Sequence, residues 1–499
     1  MENSGSVKLT GFGIPWTALG PKSLFSDSGF LLIYEVLTRL YEQFGSKSLI
    51  ALDPRFEEIF EPKNDPAKTG VWAVYNDGDR IPQRSYDAPL SPSILNAYLS
   101  TGLTCPVDFV FTNKRLSACH YALSCDDRFS RYRVPLYLQP TTAGKEGFKN
   151  PIAPAFTRQL QMEAASYMMA RRVIWPTPEQ RDRGMKIAKR FLSHAVVREI
   201  KETHRVIGGG ITDLIRPYRL SDKDVCNRLQ TSQKKFRVSF VGRTNSVKNI
   251  TFIIDTLKTL FAKYDIALEV VSLGGIELAQ DGYKRVTDVK DAMNVIGHHE
   301  TGGTKGRDYY AGTILPGIQC GISATLTECH PATPREAIYV GVPWLIPSNR
   351  AWGPSLFGRE YPFLYNGEDE CIALIKRIRN GKITDEECER FNKIRNDPAM
   401  IQFMSYTAEK IYQLAIEDSQ EFVNFTKDHS FSKITTAWEK WVKVGGEFTW
   451  GEIHRAVARL GGGSVSDRPH ARSHFDVYTR LRERIECINP KDGVFRRVK

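Results

Sequence analysis

The sequence predicts an α/β architecture of two doubly wound domains in series, followed by a basic C-terminal extension. Three observations carry this. Short apolar, β-type runs alternate with amphipathic helical stretches, the pattern of strands linked by crossover helices. The alternation fills the first half of the chain and resumes after a polar, basic join near 215–235. At 499 residues the chain also has room for two to four domains of about 100–200 residues each.

Taken in order, the strands of the first half are predicted at Ser6–Gly11, Ser48–Leu52, Val71–Tyr75, Val107–Phe111, Val134–Leu138, Val173–Ile174 and Arg205–Ile207. Helical periodicity marks Phe30–Phe44, Phe156–Arg171 and Pro178–Lys201 between them. Gly208-Gly209-Gly210 closes this half. In the second half, Arg237–Val241 reads as a strand, Asn249–Tyr264 as a helix and Ala267–Leu273 as a strand. A short helix over Arg335–Tyr339 then leads into a strand over Val340–Ile346, and Asp397–Asn424 is helical in pattern. The expected division is a first domain over 1–220, a second over 236–395, a helix in 396–428 returning toward the first domain, and a basic tail over 429–499. In open α/β sheets ligands bind beyond the carboxyl ends of the strands, so the cleft between the two domains is the expected site.

Composition narrows the class. A hydrophobic fraction of 41% and a charged fraction of 25% are globular values, which exclude a mainly disordered or fibrous chain. The nine cysteines are scattered without a CxxC pair, which argues against a disulfide framework and a structural zinc site. The start, Met-Glu-Asn-Ser-Gly-Ser, lacks a basic stretch followed by an apolar core, and apolar runs such as Phe30–Tyr34 fall far short of a membrane span. A cytoplasmic protein without a transmembrane segment is expected. The net charge of +12 favours an anionic partner. The stretch Gly451–Lys499 holds nine Arg and two Lys against three Asp and three Glu.

Two motifs carry chemistry. In Phe240-Val-Gly242-Arg243-Thr-Asn-Ser-Val-Lys248-Asn249, a strand ends in Gly-Arg and a Lys follows just before a helix. Glycine allows close backbone approach, arginine offers a bidentate fork and lysine a point charge, a set suited to a diphosphate. Taken alone, they are also what two exposed loop cations look like. In Glu328-Cys329-His330-Pro331-Ala332-Thr-Pro-Arg-Glu336, two carboxylates stand eight residues apart around a helix start. A helix N-terminus offers free N–H groups to an anion, and a carboxylate beside it can hold sugar hydroxyls. A solvated helix start would show the same two glutamates.

Together, the order and the 85-residue separation of Arg243 and Glu328 resemble the retaining nucleotide-sugar glycosyltransferases of GT-B fold, whose signature is E-x7-E. Asn294-Val-Ile-Gly297-His298 resembles that family's strand and glycine loop near the nucleotide base. Ile322-Ser323 through Glu328 resembles its approach to the first Glu, and Arg205-Val-Ile-Gly208-Gly209-Gly210-Ile211 the end of its first domain. The resemblance covers residues 200–380 best. It implies that Glu328, Arg243 and Lys248 are catalytic. It also implies a donor site of Gly242, Arg243, Lys248, Gly297, His298, Glu328, Cys329, His330, Ala332 and Glu336, with Glu336 on the ribose hydroxyls. The implied co-substrate is a nucleoside diphosphate sugar, a UDP-sugar foremost, with no obligatory metal. The family's Gly-aromatic-Gly-Leu after the first Glu is replaced here by Cys329-His330-Pro331-Ala332, and Pro331 removes an N–H.

On the acceptor side, Gly11 and Gly13 read as a glycine loop after the first strand, and Gly29 as the glycine preceding a helix. A tight turn would use the same residues. His120 is a candidate base or substrate contact, or a loop histidine. Asp77-Gly78-Asp79 has the DxD form of a metal site but lies in a turn-rich stretch and reads as a turn. The basic residues over 171–201, together with the tail, suggest a surface for a polyanion. A glycosyltransferase of bacteriophage DNA type, acting on hydroxymethylated pyrimidines in double-stranded DNA, would need such a surface for phosphate contacts. The alternatives are a lipid-linked or saccharide acceptor, and a non-catalytic nucleic-acid-binding protein on the same scaffold.

Overall fold

The computed structural model describes residues 9–15, 24–25, 28–52, 54–75, 108–113, 136–138, 154–234, 236–242, 248–264, 266–272, 298–300, 306–326, 328, 331–350, 352–425, 442–449, 484–490 and 494–499. Seven parallel strands form the first sheet: β1 (Gly11–Ile14), β2 (Ser48–Leu52), β3 (Val71–Tyr75), β4 (Phe109–Thr112), β5 (Leu136–Leu138), β6 (Arg172–Trp175) and β7 (Arg205–Val206), in the order β3-β2-β1-β4-β5-β6-β7. The sheet is doubly wound about β1, whose Phe12 pairs with Leu49 on one side and Val110 on the other. Strands β1, β2, β4 and β6 are buried at every position. That is the mark of a parallel sheet covered on both faces, and it is why these segments read as continuous apolar runs.

The longer helices described beside this sheet are α1 (Ser28–Phe44), α2 (Pro154–Met169), α3 (Pro178–Phe191) and α4 (His194–Thr203). Phe30, Ile33, Val36, Leu37 and Leu40 place one apolar stripe of α1 in the core. The predicted helix over Pro178–Lys201 is two helices. Leu192 is extended, and Ser193 starts α4 by accepting a hydrogen bond from the Val196 N–H.

The second sheet is also parallel, in the order β10-β9-β8-β11-β12-β13: β8 (Arg237–Gly242), β9 (Ala267–Ser272), β10 (His298–Glu300), β11 (Cys320–Ile322), β12 (Trp344–Pro347) and β13 (Leu364–Tyr365). Its helices include α5 (Asp222–Gln230), α6 (Ile250–Tyr264), α7 (Ala332–Val340), α8 (Glu368–Arg379) and α9 (Asp385–Arg395). Ile211, Ile215, Val225 and Leu229 belong to this second core, so the chain enters it directly after the triple glycine.

Helix α10 (Met404–Phe425) returns to the first domain. Its Met404, Ala408, Ile411, Tyr412, Leu414 and Ala415 are part of the first core. Tyr412 stacks on Phe44 at 4.0 Å. Asp418 accepts from the Tyr137 hydroxyl at 2.9 Å and from two Arg172 nitrogens at 2.6 and 3.2 Å. A three-stranded antiparallel sheet follows, β14 (Glu447–Thr449), β15 (Ile485–Asn489) and β16 (Val494–Arg497), ordered β14-β16-β15. Lys47, just before β2, donates to the Ile488 carbonyl at 2.6 Å. The last sheet therefore touches the first domain at the amino ends of its strands.

Candidate active site at the facing sheet edges

The site is assembled at the carboxyl ends of β6, β8 and β11. Strand β8 ends at Gly242, whose φ of +152° lies where glycine is favoured. Lys248 sits two residues before α6. After β11 the chain reaches Glu328, and α7 begins four residues later, at Ala332. The Lys248 ammonium and the Glu328 carboxylate form an ion pair across 80 positions of sequence, both partly exposed. From the first domain, Gln180 in the first turn of α3 donates from Nε2 to the Glu328 carbonyl at 3.4 Å. Thr177 caps that turn by accepting from the Gln180 N–H at 3.1 Å, and Pro178 sits at its first position. The carboxyl edges of the two sheets thus face each other at Glu328.

Helix α7 starts three residues earlier than the sequence predicts, so Glu336 lies in its middle and not at its start. Glu336 is 2% exposed. Its carboxylate accepts from the Tyr310 hydroxyl at 3.1 Å and from the Thr212 N–H at 3.3 Å. Beside it, the Arg335 guanidinium is also buried, which lowers its pKa to about 10 against the opposing pull of the Glu336 charge. Tyr310 opens a π-helical turn over Tyr310–Ile314, an irregularity often found at functional sites.

Ala332 is the first residue of α7, where backbone N–H groups lack helical partners. His298 opens strand β10, paired with Val270, and does not lie in a loop after a strand as expected. Arg243, Gly297, Cys329, His330, His120 and the Asp77-Gly78-Asp79 motif lie outside the described residues, as does most of the tail. The glycine-loop reading of Gly11 and Gly13 is corrected: both are buried inside β1. A Cβ on Gly13 would come within 2.6 Å of Ile33 and 2.7 Å of Leu37, and one on Gly11 within 2.8 Å of the Phe109 ring. Glycine is required there so that α1 and β4 can pack closely. Gly29 likewise does not precede a helix. It is the second residue of α1, and its carbonyl accepts from the Asn113 side chain at 2.7 Å.

Sequence reasoning missed Gln180, Tyr310 and Arg335. The Thr177-Pro178 helix start was the one available signal for the first, because it marks a helix beginning directly after a strand. Among the described residues, no group of His, Cys, Asp or Glu converges as a metal site. Nor is any described helix long and apolar enough to cross a membrane.

No protein-family model matches the chain, and no curated protein matches it in sequence. Solved structures do match. Sucrose-phosphate synthase from Thermosynechococcus elongatus is similar over 82% of this chain and 99% of its own, at 16% identity and a TM-score of 0.57. The N-terminal domain of trehalose-6-phosphate phosphatase from Candida albicans is similar over 84% and 99%, at 12% identity and a TM-score of 0.55. HepE from Anabaena, solved in complex with UDP and glucose, is similar over 82% and 99%, at 14% identity and a TM-score of 0.53. At such identities the likeness is one of architecture, and by it the chain has the GT-B fold, two Rossmann-like α/β domains facing a cleft.

Proposed function

We propose that the protein is a glycosyltransferase that moves a sugar from a nucleoside diphosphate sugar, a UDP-sugar foremost, to an acceptor hydroxyl with retention at the anomeric carbon. The observation that carries this reading is the pairing of Lys248 with Glu328 at the facing sheet edges. The UDP bound by HepE, a protein of like fold, supports the choice of nucleotide.

In this reading the Lys248 ammonium exchanges its carboxylate partner for diphosphate oxygens when the donor enters. Arg243, five residues before it, adds a bidentate fork. Both stabilise the charge that grows on the diphosphate as the bond from the anomeric carbon to the phosphate oxygen breaks. The acceptor oxygen forms its new bond to that carbon from the same face, and its proton passes to the departing phosphate oxygen. Glu328 lies beside the donor sugar, with the backbone after it meeting sugar and phosphate, and Glu336 holds the ribose.

The acceptor in this reading is the hydroxymethyl group of a modified pyrimidine in double-stranded DNA. Its support is the exposed basic face formed by Lys186, Lys189 and Arg190 on α3 and Arg198 and Lys201 on α4. The first turn of α3 meets the Glu328 carbonyl and these basic residues lie on the turns after it and on α4, so a long polyanion held there would extend back along α3 toward the cleft. A saccharide acceptor is the second reading, favoured by the sucrose-phosphate synthase likeness.

The test is one incubation of the protein with sugar nucleotides and duplex DNA carrying 5-hydroxymethylcytosine or 5-hydroxymethyluracil, read by mass spectrometry of the digested nucleosides. A nucleoside heavier by one sugar establishes donor and acceptor together. Nucleoside diphosphate release without modified DNA moves the acceptor to a saccharide or lipid-linked molecule. No release with any donor favours a non-catalytic scaffold.

A further inference from the structure

Two chain segments at the junction of the domains, 208–212 and 400–404, lie side by side. They pair as a short parallel ribbon: the Ile211 N–H donates to the Gln402 carbonyl at 2.8 Å, and the Met404 N–H to the Ile211 carbonyl at 2.9 Å. Gly208 bends the first segment with a φ of +89°, and a Cβ there would lie 1.6 Å from the Gln402 side chain. One side chain binds both segments to the second domain. Arg335, 3% exposed in the first half of α7, donates from Nη1 to the Gly209 carbonyl at 2.6 Å and from Nε to the Met400 carbonyl at 2.7 Å. Its neighbour Glu336 accepts from the Thr212 N–H of the same ribbon. The planar guanidinium fixes the directions of its donors, so it sets orientation as well as distance. A buried cation that loses its acceptors is costly, so the contact is not easily given up.

We propose that Arg335 is a positioning residue of the donor site: by pinning the first half of α7 to both interdomain crossings, it makes donor affinity and the mutual approach of the domains a single property. This rests on the donor-site reading above. Arg335 stands seven positions after Glu328, and the α7 helix it belongs to begins four positions after Glu328. Release of α7 from the ribbon would loosen Glu336 at once and Glu328 through the short chain connection to α7. Approach of two domains about such crossings is a common way to enclose a ligand.

The experiment uses the full chain and UDP as probe. UDP binding is measured by calorimetry, and the radius of gyration by small-angle scattering with and without UDP, for the wild type, Arg335→Met, Arg335→Lys and Arg395→Met. Arg395 is a similarly buried arginine that pairs with Asp222 and bonds the Leu220 carbonyl and the Tyr339 carbonyl in the last turn of α7, so it controls for loss of a buried arginine that holds α7 without touching the crossings. The expected result is UDP binding weakened at least tenfold in Arg335→Met and about threefold in Arg335→Lys. The UDP-induced contraction should be lost in Arg335→Met and reduced in Arg335→Lys. Arg395→Met should melt earlier but bind and contract like the wild type. UDP binding within twofold of wild type, with the same contraction, in a folded Arg335→Met overturns the proposal. If that variant does not fold, the same result in Arg335→Lys overturns it. A wild type that binds no UDP overturns the donor-site reading itself, a result distinct from wild-type-like variants.

Discussion

Asp418→Ala tests how α10 is held, independently of any activity. Asp418 sits on α10 with its side chain 2% exposed, facing Arg172 at 9% and Arg171 at 12% exposure. Its two oxygens take the Tyr137 hydroxyl and both Arg172 contacts. Burial works to lower the Arg172 pKa, but the bonds and charge of Asp418 outweigh it and hold the pKa above the ordinary arginine value. Burial, the Asp418 charge and the bond to Asp418 all push the Tyr137 phenol well above its ordinary value, so it stays a neutral donor. Alanine would leave a buried cation and a buried hydroxyl without these acceptors. Breaking one side of a buried pair costs about 3–5 kcal/mol. At about 1.4 kcal/mol per tenfold, a loss near 4 kcal/mol raises the open population of α10 about a thousandfold. Hydrogen exchange read by mass spectrometry should show that acceleration in peptides from 404–425 and unchanged exchange in α8 and α9. Asp418→Asn, which keeps the shape but not the charge, should fall between. Exchange in α10 within threefold of wild type, in folded Asp418→Ala, would refute the assignment of this network as the anchor.

Lys248→Ala should lower the rate of nucleoside diphosphate release by about 2–4 kcal/mol of transition-state stabilisation, as for a lost oxyanion donor; undiminished turnover would remove Lys248 from the donor site. Gly13→Ala should destabilise the first domain by about 1–3 kcal/mol through overpacking against Ile33 and Leu37, seen as a lower urea midpoint. For Glu387, burial pushes the carboxyl pKa up, but the Arg377 hydrogen bond and charge and the Thr384 cap outweigh it, so the net shift is downward. A carboxyl depressed on folding stabilises above its unfolded pKa and loses that contribution as pH falls through the folded one. The region of α9 should therefore loosen in acid at and below the ordinary carboxylate range, and Glu387→Gln should flatten that dependence in hydrogen exchange.

The fold was legible because parallel strands covered on both faces must be apolar throughout, and such runs stand out even when short. Their ends were less so. The β12 strand begins at Trp344, because α7 continues to Val340 and Gly341 caps it with a left-handed φ of +100°. At the other end of α7, Pro331 and Pro334 look like a loop in sequence. A proline in the first turn lacks an N–H the helix does not use, so α7 starts at Ala332 all the same. Gly11 and Gly13 misled for the opposite reason: glycine signals a turn in sequence, whereas here it admits a helix and a neighbouring ring. In the site, Lys248 and Glu328 were each visible as residues of a suitable type beside a strand end. Their contact was not, since it depends on how β8 and β11 sit side by side. Arg335 stood in the motif only as the first residue of the predicted helix, and its role shows only in its burial against two carbonyls.

The place of α10 has a consequence for synthesis. The first core is incomplete until Met404 and the residues after it exist, yet its own last strand ends at Val206. At about 5–20 residues per second, a ribosome needs roughly 10–40 s to make the intervening chain. During that interval the α1 surface that receives Tyr412 is bare, and Tyr137 and Arg172 await Asp418. The second domain, whose core draws on 211–401, can close first. Folding on the ribosome should thus finish out of sequence order, with the amino-terminal domain sealed last. A nascent chain stalled before residue 404 should expose that surface to a chaperone that binds apolar segments.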